Sequence, residues 1–106
     1  MNTKDFLKLL ASDQEIVLLD IREPEELLTE DTIPRSLNIP MGRVFTAVAE
    51  GLLSKDVPIV VFCRSGKRAS IVERELNQMG FKVQALEGGL QELKKESIIN
   101  SKIIHE

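Results

Sequence analysis

A chain of 106 residues suffices for one hydrophobic core and is too short for two ordinary ones, so residues 1–106 are expected to form a single domain. Hydrophobic residues at 42%, charged residues at 29% and a net charge of -3 speak against disorder and against nucleic acid or an anionic membrane as partner. One cysteine and one histidine can build neither an internal disulfide nor a zinc site. No stretch approaches the roughly 18 apolar residues of a membrane span. A cytoplasmic location, with the thiol kept reduced, is therefore expected.

Thr3 stands where it could cap a short helix with Phe6, Leu7, Leu9 and Leu10 on its apolar face. Ile16-Val17-Leu18-Leu19 is a continuous apolar run ending at Asp20, the pattern of a strand buried on both faces. In Ile21-Arg22-Glu23-Pro24-Glu25-Glu26-Leu27-Leu28, Pro24 suits a helix's first turn and the glutamates suit its positive end. Thr32-Ile33-Pro34 is extended, and Leu37-Asn38-Ile39-Pro40 reads as a short strand closed by proline.

Residues 41–50 suggest a helix with Val44, Phe45 and Val48 on one face, ended by Gly51. A polar turn, Ser54-Lys55-Asp56, leads into a strand over 59–62. A helix then runs to Met79 with Ile71, Val72 and Leu76 inward, and Gly80 ends it. Residues 81–86 form another strand, and Glu87-Gly88-Gly89 turns into a last helix from Leu90. The tail from about residue 97 either extends that helix or frays.

Apolar strands alternating with helices imply a mostly parallel α/β sheet with helices on both faces. In such sheets the binding crevice lies beyond the carboxyl ends of the strands. The turns at Asp20, Cys63 and Gly88-Gly89 all fall at that edge, so three sequence-distant loops are expected to converge there.

The stretch Pro58-Ile59-Val60-Val61-Phe62-Cys63-Arg64-Ser65-Gly66-Lys67-Arg68-Ala69-Ser70 carries the chemistry. A buried strand runs into the one cysteine, and a short loop with three cations precedes a helix. Backbone N–H groups of such a loop, with the positive end of the helix dipole, make an anion site that favours a thiolate. The alternative is a structural cysteine closing a core strand beside a solvated basic loop. The cysteine's place after the strand, the clustered charge and Gly66, which permits close backbone approach, favour the reactive thiol.

With these features in view, the chain resembles a single-domain rhodanese, a sulfurtransferase of the thiosulfate type. Three segments carry the resemblance: Leu18-Leu19-Asp20-Ile21-Arg22-Glu23-Pro24-Glu25-Glu26, Ile33-Pro34-Arg35-Ser36-Leu37-Asn38-Ile39-Pro40, and Val60 through Ser70. Leu86-Glu87-Gly88-Gly89-Leu90 sits where the family has its paired glycines. The resemblance implies a rhodanese-like fold without cofactor or metal. Cys63 would be the nucleophile, taking the sulfane sulfur of a small anionic donor as a persulfide and passing it to a thiol or protein acceptor, or to cyanide in vitro. Arg64, Ser65, Gly66, Lys67 and Arg68 would bind the substrate, with Arg64 the first candidate for orienting thiosulfate. Asp20 and Arg22 would support the site, Asp20 by hydrogen bonds and Arg22 by pairing with a carboxylate.

Two departures stand out. Asp31-Thr32-Ile33 and Pro34-Arg35-Ser36 replace the family's Gly-His-Ile and Pro-Gly-Ala, which removes a hydrogen-bonding histidine from the supporting structure. Leu90 and Leu93 stand in the region where an aromatic residue commonly follows the paired glycines, which alters the pocket rim.

Other functions are tied to definite features. A cysteine phosphatase or arsenate reductase needs Cys-x5-Arg, but that place holds Ala69, and Arg68 comes one position early. A rhodanese-like binding module typically lacks the cysteine. A persulfide carrier serving one protein partner remains compatible with the intact loop.

Overall fold

The apolar runs become four parallel strands, β1 (Val17–Asp20), β2 (Leu37–Asn38), β3 (Ile59–Phe62) and β4 (Val83–Ala85), in the order β2-β1-β3-β4. This is a computed structural model that describes residues 1–95; the expectation for the tail from about 97 lies outside them. β1 and β3 are central, and their register sets Asp20 opposite Phe62. Side chains alternate across the strands. Leu18, Val60 and Phe62 face one layer, where α1 (Thr3–Leu10) contributes Phe6 and α5 (Gly89–Lys94) contributes Leu90 and Leu93. Leu19, Val61 and Cys63 face the other, with Val44 and Ala47 of α3 (Val44–Ala49) and Ala69, Val72 and Leu76 of α4 (Lys67–Gln78). The expected sheet with helices on both faces is thus observed.

Local chemistry moves several expected details. Asn2, not Thr3, caps α1, its side-chain oxygen accepting the Asp5 N–H at 2.8 Å. A 3-10 turn over Met41–Arg43 precedes α3 and rotates its face, so Val44 and Ala47 turn inward and Phe45 is 52% exposed. In α4 the inward stripe is narrow, one residue every three to four, which leaves Ile71 43% exposed at its border. Pro24 does open α2 (Pro24–Leu27), and Glu23 and Glu26 form a reciprocal capping box around its start.

The turn after β1 is locked from below. Asp20 and Arg22 are both fully buried and pair with one another: Arg22 donates through Nε and Nη2 at 3.0 and 2.8 Å, and through its backbone N–H at 3.1 Å. Thr32 donates its hydroxyl to the same carboxylate at 2.8 Å, supplying a hydrogen bond where the family's histidine is lacking. Asn38 Nδ2 donates to the carbonyls of Asp20 and Arg22 at 2.9 and 3.0 Å. Arg35, where the family has glycine, holds a left-handed φ of 69°.

Candidate active site

β3 delivers Cys63 to the carboxyl edge of the sheet, and the loop that follows wraps its sulfur. Gly66 adopts a left-handed conformation as N-cap of α4, and its N–H donates to Cys63 Sγ at 3.2 Å. The first turn of α4 lies directly behind it, beginning with Ser70 N–H donating to Gly66 O at 3.0 Å. The sulfur therefore sits at the positive end of a 12-residue helix.

The third loop holds the first in place. Leu90 and Gln91 in the opening turn of α5 donate their N–H groups to the carbonyls of Cys63 and Arg64, each at 3.0 Å. Those two carbonyls are drawn to α5 while the Gly66 N–H serves the sulfur. Such close approach needs Gly89, where a Cβ would lie 2.4 Å from the Cys63 carbonyl oxygen. The expected convergence of the Cys63 and Gly88-Gly89 loops is observed, and the turn after Asp20 meets the end of β3 where Ile21 N–H donates to Phe62 O at 3.2 Å.

The cations are arranged differently from a simple positive loop. Arg68 donates both Nη groups to Glu26 at 2.8 and 3.0 Å, and Arg64 donates to Glu30 through Nε at 3.1 Å and through Nη2. Glu26 Oε1 also accepts from Arg64 Nη2 at 3.3 Å. Lys67 makes no ion pair among the described residues. With Ser65 and Gly66 it lines an open recess of about 490 Å³ that also includes Glu73 and Glu87. Ala69, where a phosphatase would need arginine, is buried in α4.

The Arg68 hydrogen bonds hold the Glu26 carboxyl at about 2, against the opposing effect of burial. Arg68 is shifted upward, first by its hydrogen bonds to Glu26, against the opposing effect of burial. Glu26 and Glu30 were not singled out from sequence as site residues. Their arginine partners lie 34 to 42 residues further along the chain, and no local pattern links them.

A depressed carboxyl stabilises the fold fully above its unfolded value and loses that contribution as pH falls through it toward the native value. For Glu26 the window runs from about 4.5 down to about 2. Because its arginine partners are a third to a half exposed, the contribution is about 1–2 kcal/mol after screening. Urea unfolding of the native protein should show that loss on acidification, and Glu26→Gln should flatten it; equal acid sensitivity in both would refute the assignment.

The family model for the rhodanese-like domain matches residues 2–96, and the chain belongs to that family. It is 38% identical to the Bacillus subtilis protein "Putative sulfurtransferase YtwF" over 81 residues, 76% of each chain. It is 35% identical to a sulfurtransferase of Allochromatium vinosum over 82 residues, 76% of this chain and 74% of the relative. Its fold matches the crystal structure of a rhodanese-related protein from Thermoplasma volcanium with a TM-score of 0.77 and 28% identity, covering 91% of both chains. These likenesses place it in the general sulfurtransferase class. No described helix is long and apolar enough to cross a membrane.

Proposed function

We propose that the protein moves a sulfane sulfur through a persulfide on Cys63, taking it from a donor such as thiosulfate or polysulfide and giving it to a thiol, a protein or, in vitro, cyanide. The observation that carries this reading is the Gly66 N–H directed at Cys63 Sγ at the head of α4. A persulfide keeps its negative charge on sulfur, and a preorganised N–H with a helix terminus behind it stabilises that charge without reorganisation. Arg68 adds a positive charge from the solvent side, being about one third exposed.

The transfer is nucleophilic and covalent. The Cys63 thiolate attacks the outer sulfur of the donor, the S–S bond breaks, and its electron pair leaves with sulfite or a thiolate. An acceptor nucleophile then attacks the outer sulfur of the persulfide, and the pair of that S–S bond returns to Cys63. Ser65, Gly66 and Lys67 flank the path of the donor; Asp20 and Arg22 hold the β1 turn and act from below the site.

A carrier role toward one protein partner uses the same persulfide. It is favoured by Phe45 and Ile71, which are exposed beside Arg68 and line a recess of about 420 Å³.

Intact mass after incubation with thiosulfate, and separately with polysulfide, tests the proposal. One sulfur atom should be gained, should map to the Cys63 peptide, and should be lost to cyanide as thiocyanate. Gain with slow thiocyanate turnover would point to the carrier. No gain from either donor, nor from a hydropersulfide, would overturn the proposal.

A further inference from the structure

Given the sulfur-transfer reading, on which this inference rests, charge at the loop bears on the donor class. Arg64, Arg68, Glu26 and Glu30 form a closed set whose formal charges cancel. Both guanidinium forks meet on Glu26 Oε1, at 3.3 and 3.0 Å, and Glu30 takes the Nε and Nη2 edge of Arg64. That edge is the one a guanidinium offers to any bidentate oxyanion. The oxygens of thiosulfate would compete with Glu30 for it.

Lys67, the remaining loop cation, shares its recess with two further carboxylates. Glu73 accepts the Ala85 N–H at 2.8 Å, and Glu87 pairs with the Met1 amino group at 3.0 Å. Approaches on both sides of the loop therefore combine positive and negative groups. Meanwhile Cys63 is fully buried, and Arg68, about one third exposed, is held by Glu26. A donor must approach past paired charges.

We propose that Glu30 sets donor specificity. It holds Arg64 closed against dianionic donors, so that the sulfane sulfur enters from a hydropersulfide of low charge, R–S–SH. In that step the Cys63 thiolate attacks the outer sulfur, the S–S bond breaks, and its electron pair departs with R–S⁻. The outer sulfur keeps its proton, giving Cys63–S–SH, which then loses that proton to solvent. No external oxidant or reductant is needed.

The test compares thiosulfate with cysteine hydropersulfide as donors to the wild-type protein, Glu30→Gln and Glu30→Ala, reading kcat/KM for thiocyanate formation. Removing one carboxylate from the path of a dianion should raise the thiosulfate-to-hydropersulfide ratio about five- to tenfold at low ionic strength, chiefly through the thiosulfate KM. The rise should shrink in about 1 M salt, where the screening length is about 3 Å. A ratio within twofold of wild type in both variants, or a rise undiminished by salt, overturns the role of Glu30. Sulfur gained from neither donor by the wild-type protein overturns the sulfur-transfer reading itself, and with it this one.

Discussion

Asp20→Ala should lower the unfolding free energy by about 3–5 kcal/mol, because it leaves the Arg22 guanidinium charged and buried without its counterion. Arg22 is ill placed to compensate. Among the described residues its Nη1 has no hydrogen-bond partner, and apart from Asp20 its Nη2 donates only to the Asp31 carbonyl at 3.2 Å. Thr32 would lose its acceptor as well. Replacing both members of the pair with apolar residues, Asp20→Leu with Arg22→Met, removes the isolated charge and should recover much of the loss. Urea midpoints of the two single variants and the double variant give the coupling directly. An Asp20→Ala protein within 1 kcal/mol of wild type would show that the pair does not carry the β1 turn. The effect should extend to the site, since that turn launches the helix bearing Glu26, whose carboxylate pairs with Arg64 and Arg68 on either side of the cysteine loop's end.

What the sequence discloses here depends on whether the cause is local. The strands of β1 and β3 announce themselves as unbroken apolar runs because a central parallel strand is covered on both faces, and Cys63 follows from where such a run stops. Pro24 marks the start of α2 through its fixed φ and missing donor. By contrast, Phe45 and Ile71 carry the hydrophobicity of core residues, and only the rotation of α3 by a 3-10 turn and the narrow inward stripe of α4 leave them exposed. The charge at the loop was the least legible part. Arg64, Lys67 and Arg68 read as a positive cluster when counted along the chain, but Glu26 and Glu30 reach Arg64 from 38 and 34 residues away, and no local pattern records such a meeting.

Gly89→Ala should be the second large disruption, and it acts on the sulfur loop itself. The position has φ +56°, which costs an alanine about 1–2 kcal/mol, and the added Cβ would lie 2.4 Å from the Cys63 oxygen and 2.6 Å from the Arg64 oxygen. Both obstacles are backbone atoms, so relief requires the α5 terminus and the loop to separate. Separation stretches the bonds from Leu90 N–H and Gln91 N–H to those same carbonyls. We expect a total loss of about 2–4 kcal/mol in urea unfolding. The loop's hold on the sulfur should suffer more than the fold does, because a displacement of about 1 Å in a reacting group is enough to lower a rate about 100-fold. Gly51→Ala provides the contrast: its φ is +77° but none of the described residues beyond its chain neighbours lies within 4 Å of the new Cβ, so it should lose stability through backbone strain alone and keep its rate of sulfur loading. If Gly89→Ala loaded sulfur from a donor as fast as Gly51→Ala at temperatures where both are folded, the docking of the Cys63 and Arg64 carbonyls on α5 would not be what aims the loop.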